Sequence, residues 1–217
     1  MQPAAKGERE ALIPGLEALA RLREGNRRFA LGTRKLSAVI TRAQRGAFVS
    51  GQQPFAVILG CSDSRVPVEL VFDQGMGDLF VIRVAGNIVA PSQIGSVEFA
   101  AERFGTRLVV VLGHTRCGAI EATVEALQPT IDEPSRNMSS IIDRIRPSVE
   151  GLLATDAARD PETLMRHAVR ANVRMSAHQL RHGSEVLERL IEREELLVVG
   201  AEYSLETGVV DFFDGAP

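Results

Sequence analysis

The sequence predicts an α/β fold with a central, mostly parallel β-sheet flanked by helices, an N-terminal helical arm and an antiparallel edge strand. Four short runs are rich in β-branched residues and almost continuously apolar, which is typical of strands covered on both faces. Helical segments alternate with these runs, and this alternation favours parallel strands joined by helical crossovers. The runs are PFAVILG, DLFVIRVAG, RLVVVLG and ELLVVGA, beginning at residues 54, 78, 107 and 195.

The helical segments are predicted from apolar spacing and from residues that begin or end helices. Ser92 is a suitable N-cap for a helix that ends just before Gly105. Two amphipathic helices, over residues 14–31 and about 38–49, form the predicted arm. Further helices are predicted at about 115–127, 137–152, 161–182 and 184–193.

The C-terminal stretch YSLETGVVDFF, residues 203–213, predicts a turn followed by a short final strand. The turn is expected at residues 206–208, where Glu-Thr-Gly interrupts the apolar pattern. The strand after it is expected to be the antiparallel edge of the sheet. We expect one domain over residues 1–217, with 1–50 as the helical arm and 51–217 as the α/β core.

Composition and charge restrict the partners. Hydrophobic residues make up 45% of the chain and charged residues 24%, which is ordinary for a globular protein. A net charge of -3 and a pI of about 5.9 argue against nucleic acid or an anionic membrane as the main partner. The apolar runs are too short to span a bilayer, and the N-terminus lacks the plan of a secretory signal. With two cysteines, the chain is therefore expected to work in the cytoplasm with reduced thiols.

Both cysteines follow predicted strands, and a histidine lies near the second. Cys61 follows the first apolar run, His114 follows the third, and Cys117 comes three residues after His114. Side chains just past the carboxyl ends of neighbouring parallel strands meet in one crevice, so these three are expected to converge. Two thiolates and an imidazole select zinc over magnesium or calcium, and three protein ligands leave the fourth position for water.

Each of these residues taken alone has a simpler interpretation. A single cysteine after a strand is usually packing, because free cysteine is among the most often buried residues. The metal interpretation is favoured because both cysteines of the chain occupy equivalent strand exits, each flanked by polar residues. We therefore predict a zinc site.

Asp63 and Arg65 lie two residues apart beside the first cysteine, where an extended segment would point both to the same side. An aspartate paired with an arginine stays ionised and keeps one orientation. It would then accept the hydrogen of a zinc-bound hydroxide and turn the oxygen lone pair toward a substrate. Alternatively, Asp63 ligates the metal as a fourth ligand and closes the site, or the pair is an ordinary loop salt bridge.

The sequence resembles the β-class carbonic anhydrases. The resemblance rests on CSDSRVP and GHTRCG, extends through DLFVIRVAGN, SVEFA and VVGAEYSLETG, and covers nearly the whole chain in order. It implies one Zn²⁺ per chain, a dimer or a multiple of dimers, and CO₂ and bicarbonate as ligands. The implied site residues are the zinc ligands Cys61, His114 and Cys117, the dyad Asp63 and Arg65, and the substrate-pocket residues Gln52, Phe80, Ala85 and Gly118.

Two positions depart from the family pattern. A family tyrosine is Phe99 here, so a hydroxyl at that position takes no part in the mechanism. Members with a non-catalytic, inhibitory bicarbonate site carry a tryptophan three residues before the first zinc cysteine, with an arginine and a tyrosine elsewhere. This chain has Arg83 and Tyr203 but carries Ile58 at the tryptophan position, which argues against an inhibitory site.

The predicted function is the zinc-dependent reversible hydration of carbon dioxide through zinc-bound hydroxide, which makes the chain a zinc lyase. One alternative is hydrolysis of COS or CS₂ on the same scaffold. Another is a structural zinc or thiol-redox domain without turnover. A structural site needs a fourth strong ligand and a redox pair is usually C-x-x-C, and the chain has neither a third cysteine nor that spacing.

Overall fold

A computed structural model describes residues 12–34, 45–46, 48–128 and 134–217. The strands are β1 Ala56–Gly60, β2 Leu79–Arg83, β3 Leu108–His114, β4 Leu197–Tyr203 and β5 Val210–Asp214. The α-helices are α1 Gly15–Ala30, α2 Val68–Val71, α3 Pro91–Arg103, α4 Gly118–Ala126, α5 Arg136–Val149, α6 Pro161–His182 and α7 Glu185–Glu192.

The five strands form one sheet in the order β2-β1-β3-β4-β5. The pairs β1–β2, β1–β3 and β3–β4 are parallel, and β4–β5 is antiparallel. This confirms the predicted α/β class and its antiparallel edge. All residues of β1 and of β3 are buried, which explains why their sequences are apolar throughout rather than alternating.

Helices cover both faces of the sheet. One apolar cluster joins α1 and α2 to the sheet face that carries Ile58, Val110 and Leu112. A second cluster joins α3, α6 and α7 to the opposite face, which carries Val109 and Val111. The two clusters hold the sheet between the helices, and because β1 and β3 are parallel neighbours, their carboxyl ends lie together at one edge.

The described part of the predicted arm packs on this core. Asn26 of α1 is buried, donates to the carbonyls of Val71 and Gly208, and accepts from the Val210 amide. Helix α1 is thereby joined to α2 and to the start of β5. The second predicted arm helix, at about 38–49, falls mostly outside the described residues, and residues Phe48–Ser50 form a single 3-10 turn.

Two predicted helix boundaries were wrong. Helix α3 begins at Pro91 with Ala90 as its N-cap, so Ser92 lies inside the first turn. Proline suits the first helical position because its fixed φ is already helical and it lacks only an N–H that would be unpaired there. Helix α4 begins at Gly118 rather than near residue 115, because Arg116 has a φ of 55° and Cys117 is the extended N-cap.

The helices at 161–182 and 184–193 are confirmed as α6 and α7, and Gly105 follows α3 with a φ of 70°. Within the described ranges, no helix is both long enough and apolar enough to cross a bilayer.

Candidate metal centre

Three predicted ligands lie at the carboxyl edge of the sheet. Cys61 is the first residue after β1, and His114 is the last residue of the neighbouring strand β3. Gly60 of β1 is paired with Leu112 of β3, so Cys61 and His114 each come just beyond this last pair, at the same edge of the sheet. Cys117 then returns to the same point as the N-cap of α4.

The ligand atoms of Cys61, His114 and Cys117 all lie within 4.8 Å of one another, and the two Sγ atoms are 4.0 Å apart. All three residues are buried. The Nδ1 atom of His114 is 2.9 Å from the Thr115 carbonyl. Because a carbonyl only accepts, Nδ1 carries the hydrogen and Nε2 presents a lone pair in the neutral ring. That Nε2 atom is buried and has no hydrogen-bond partner in the described part of the chain.

These features fit a zinc ion. A tetrahedral zinc with sulfur ligands at about 2.3 Å places those sulfurs about 3.8 Å apart, close to the observed separation. A buried ring nitrogen without a partner is costly unless another group binds it. The donor set of two sulfurs and one nitrogen is the set that binds zinc in preference to hard cations. The residues therefore fit a zinc ion.

The two thiols differ in acidity when no metal binds them. A hydrogen bond from Cys117 lowers the pKa of Cys61, against the opposing effect of burial. The same hydrogen bond and burial raise the pKa of Cys117. Burial would lower the pKa of His114, but the adjacent Cys61 sulfur and its negative charge outweigh burial and raise it. The site therefore favours at least one thiolate before any metal arrives, and a thiolate is the form that binds metal.

Asp63 and Arg65 form the predicted dyad beside the ligands. Arg65 donates from Nε to Oδ1 at 3.0 Å and from Nη2 to Oδ2 at 2.7 Å. These bonds lower the pKa of Asp63 to about 2, against the opposing effect of burial. The Oδ2 atom of Asp63 is 3.9 Å from Nε2 of His114, so an ionised carboxylate borders the ligand cluster.

The extended conformation predicted for Asp63 and Arg65 was wrong. Residues 63–66 form a turn, closed by the bond from the Val66 amide to the Asp63 carbonyl, instead of an extended segment. The Arg65 amide also donates to Oδ1 of Asp63 at 2.9 Å, which is an Asx turn. The turn brings the two side chains together more closely than an extended segment would.

Arg83 holds this loop from the neighbouring strand. Its Nε donates to the Cys61 carbonyl at 3.1 Å and its Nη2 to the Asp63 carbonyl at 2.6 Å. Sequence reasoning considered Arg83 only as part of an inhibitory anion site. An arginine at a strand end gives no sequence signal of which backbone carbonyls it will bind.

The loop between β3 and α4 has its own support from the loop between β4 and β5. Glu206 accepts from the Thr115 hydroxyl at 2.9 Å and from Nε of Arg116 at 2.8 Å. The Arg116 carbonyl in turn accepts from Nη2 of Arg65 at 3.1 Å. The two ligand-bearing loops are thus joined by hydrogen bonds around the dyad.

A cavity of about 830 Å³ opens in front of the dyad. Asp63, Arg65 and Gly118 line it, and a side chain at Gly118 would meet no atom within 4 Å. The Cα of Gly118, the first residue of α4, therefore borders open space. Ala85 is half-buried and precedes Gly86, whose amide donates to the Cys61 sulfur at 3.4 Å. Ala85 and Gly118 are thus brought to the metal centre.

Gln52 and Phe80 are not brought to it within one chain. Gln52 comes four residues before β1, at the amino edge of the sheet, and lines a different cavity of about 1090 Å³. Phe80 is the second residue of β2, and its ring lies 6.2 Å from Phe99 and 6.0 Å from Phe104. The five residues of β1 span roughly 16 Å between the two edges at about 3.3 Å per residue.

The three positions that correspond to the family's inhibitory bicarbonate site are buried in the core or bonded to the backbone in this chain. Ile58 is fully buried in the core beneath α1 and α2. Tyr203 is buried, its ring lies 6.2 Å from that of Phe29, and burial raises its pKa. Arg83 holds the Cys61 and Asp63 carbonyls.

The fold and site define a class of protein: an α/β protein with a buried Cys₂His centre at the carboxyl edge of a parallel sheet. Residues 56–210 match the sequence profile of the family described as "Carbonic anhydrase". The chain belongs to the carbonic anhydrase family, in its β class.

Relatives and solved structures agree with this assignment. "Carbonic anhydrase 2" of Mycobacterium tuberculosis is 36% identical over 188 residues, covering 86% of this chain and 87% of the relative. The "Carbonic anhydrase" of Mycolicibacterium smegmatis is 36% identical over 192 residues, covering 88% and 89%. The crystal structure of the β-carbonic anhydrase CafA of Aspergillus fumigatus is similar with a TM-score of 0.69, at 25% identity over 92% of this chain and 90% of that chain.

Proposed function

We propose that this protein catalyses the reversible hydration of carbon dioxide to bicarbonate and a proton, using one zinc ion per chain. The observation that carries the proposal is the convergence of Cys61, His114 and Cys117, with an unpartnered Nε2, beside the Asp63–Arg65 dyad. Membership of the carbonic anhydrase family supports the same reaction.

Zinc would be held by Cys61, His114 and Cys117. When bound, it supplies Lewis acidity, which makes hydroxide available near neutral pH. The fixed tautomer of His114 keeps Nε2 as the ligand atom, because Nδ1 is held by the Thr115 carbonyl.

Asp63 acts as a hydrogen-bond acceptor that orients the nucleophile. Its carboxylate is ionised at neutral pH, since its pKa is about 2, and so it accepts a hydrogen and does not donate one. Arg65 keeps both carboxylate oxygens in place through two hydrogen bonds. A nucleophile held in one orientation reacts faster because the entropy of alignment has already been lost.

Gly118 would stabilise the bicarbonate product. It is the first residue of α4, where the amide groups have no partner within the helix and the helix dipole favours an anion. It also lines the cavity in front of Asp63, which gives an anion a path to that amide. Ala85 would contribute to the apolar wall on the other side.

Gln52 and Phe80 would act from a second copy of the chain. Both lie at the amino edge of the sheet, so they reach substrate only in the site of a partner. Phe99, next to Phe80, is 52% exposed, and such an aromatic surface suits an interface between copies. The proposed assembly is a homodimer or a multiple of dimers. Two β-carbonic anhydrases of Sordaria macrospora, one of which has a similar fold, are described as tetrameric.

A closed structural zinc site is disfavoured by the ligand count. Within the described residues, the group of side chains close enough to share an ion contains three members. Asp63, whose carboxylate borders the group, is engaged by Arg65. The cytoplasm is the proposed location, because both cysteines must stay reduced to bind metal. Fractionation of the source cells checks the location.

The deciding experiment is stopped-flow CO₂ hydration by protein whose zinc content has been measured. We expect catalysed hydration that disappears in Cys61→Ser. The same preparation is assayed for COS and CS₂ hydrolysis, which separates the two reactions of this scaffold. A zinc-loaded protein that hydrates CO₂ no faster than buffer contradicts the proposal.

A further inference from the structure

The turn between β2 and α3 contacts the predicted zinc ligand Cys61 through its backbone. Ala85–Asn87 form this turn, with Gly86 at a φ of 67° and Asn87 at a φ of 44°. The amide of Gly86 donates to the Cys61 sulfur at 3.4 Å. A hydrogen bond to a thiolate favours its charged form and fixes its lone pairs.

Two consecutive residues in the left-handed region need outside support, since non-glycine residues are strained there. Gly86 is also closely packed: a Cβ at that position would lie 2.7 Å from Cδ1 of Ile145 and 3.3 Å from Cβ of Ala119. Only glycine fits both the backbone angle and the space. The packing fixes where the turn lies, and the Asn87 amide closes it by donating to the Val84 carbonyl at 3.0 Å.

Helix α6 holds the two peptides that follow the Gly86 amide. Asn172 donates from Nδ2 to the Gly86 carbonyl at 2.7 Å, and Ser176, one helical turn later, donates to the Asn87 carbonyl at 3.0 Å. The two side chains are 1% and 2% exposed, so water does not substitute for them.

These polar residues stand on a helix face that is otherwise apolar. Val173, Ala177 and Leu180 are fully buried beside them. The Oδ1 atom of Asn172 is buried without a partner in the described part of the chain, which is a cost to stability. An apolar residue at 172 would avoid that cost but would leave the Gly86 carbonyl without this donor, so the amide side chain serves the turn.

We propose that Asn172 is a positioning residue for the metal centre, with Ser176 as its second support. By holding the Gly86 carbonyl, Asn172 fixes the Gly86–Asn87 peptide, which adjoins the Ala85–Gly86 peptide whose amide donates to the Cys61 sulfur, and so supports that amide from the other side of Gly86. Asn172 thus acts on a metal ligand through the backbone of another element, without contacting the metal or the substrate. This inference rests on the proposed role of Cys61 as a zinc ligand.

The test uses metal affinity and a cobalt spectrum, because a purely structural role would leave both unchanged. Zinc affinity is measured by competition with a chromophoric chelator in wild type and Asn172→Leu, which has similar volume and no donor. We expect the affinity of Asn172→Leu to fall about 10- to 100-fold, the usual effect of losing a supporting group around a metal site. In Co²⁺-substituted protein we expect the thiolate-to-cobalt band to move to longer wavelength, because a thiolate without its N–H donor is more easily oxidised.

Two further variants keep the test decisive. Leu180→Ala opens a cavity in the same helix away from the turn, and we expect it to lower stability while leaving zinc affinity and the cobalt band at wild-type values. Ser176→Ala removes the second support, and a smaller band shift in the same direction is expected.

Unchanged affinity and spectrum in folded Asn172→Leu overturn the inference and leave the proposed function intact. If Asn172→Leu does not fold, an unchanged band in Ser176→Ala overturns it. A wild-type cobalt protein without any thiolate band overturns both this inference and the proposed zinc site.

Discussion

Arg65 holds both carboxylate oxygens of Asp63, from Nε to Oδ1 at 3.0 Å and from Nη2 to Oδ2 at 2.7 Å, and the Asp63 carboxylate borders the His114 ring. The pair therefore links a fixed, ionised acceptor to the metal-ligand cluster. Arg65 itself is half-exposed, so the value of the pair lies in orientation more than in stability.

Replacing Arg65 by Ala should separate orientation from metal binding. We expect kcat/KM for CO₂ hydration to fall about 10- to 100-fold while zinc content stays at one per chain, because Asp63 is released and no ligand is lost. Arg166→Ala is the matched control, since it removes a positive charge from the same cavity without touching the dyad. Full activity in Arg65→Ala would show that Asp63 does not orient the nucleophile.

Replacing Cys61 by Ser should remove the metal. A neutral hydroxyl is a far weaker zinc ligand than a thiolate, so elemental analysis should find most of the zinc lost. Ser62→Ala changes the exposed neighbouring residue and should keep one zinc per chain. Wild-type protein with much less than one zinc after expression in adequate zinc would count against the metal centre itself.

Mixing two impaired variants should show whether Gln52 acts across subunits. Cys61→Ser lacks the metal, and Gln52→Ala should lose about tenfold or more in kcat/KM through a misplaced substrate. If each site combines the ligands of one copy with Gln52 of the other, a reassembled mixed dimer holds one intact site and recovers up to about half of the wild-type activity.

The control for that mixture is Cys61→Ser with His114→Ala, which leaves no intact metal site in either arrangement and should recover nothing. Light scattering of the wild type at micromolar concentration should give a dimer or a multiple of it. A monomer, or a Cys61→Ser and Gln52→Ala mixture without recovery, refutes the partner role of Gln52.

Activity should rise with pH. Two thiolates neutralise the charge of zinc, whereas three histidines leave it in place, so the metal-bound water should ionise above the value of about 7 found with three histidines. We expect kcat/KM for CO₂ hydration to be low in mildly acidic buffer and to climb between about pH 7 and 9, measured at fixed ionic strength.

Titration of the Asp63 carboxyl group does not cause that rise in kcat/KM. Its folded pKa of about 2 is below its ordinary value of 3.8, so the stabilisation from its pairing is complete above about pH 4 and is lost only as pH falls toward 2. A flat profile, or one with its maximum on the acid side, contradicts zinc hydroxide as the nucleophile.

Bicarbonate should inhibit only as a product. Ile58 fills the tryptophan position inside the core, and Arg83 is held by two backbone carbonyls. We therefore expect initial rates to fall hyperbolically with added bicarbonate at constant pH and ionic strength. A sigmoidal fall, with a Hill coefficient clearly above one, would show that a separate inhibitory anion site exists.

The sequence by itself determined the class of fold and the convergence of Cys61, His114 and Cys117. Strands buried on both faces must be continuously apolar, and parallel strands bring their carboxyl ends to one edge, so the positions of Cys61 and His114 after two such runs were sufficient. The antiparallel edge strand was likewise readable, from a turn between two apolar segments. These features depend on local pattern and on general topology.

Tertiary structure alone decided which groups support those ligands. Arg83 and Gly86 lie more than twenty residues from Cys61 in sequence, yet Arg83 bonds the Cys61 carbonyl and the Gly86 amide bonds the Cys61 sulfur. Asn172 is more distant still and acts through the Gly86 carbonyl. These contacts depend on side-chain direction and on the rotation of peptide groups, which sequence patterns do not show. Tertiary structure also placed Gln52 and Phe80 at the opposite edge from the metal centre. The five residues of β1 separate the two edges, and the packing of whole elements decides which other side chains lie at each edge.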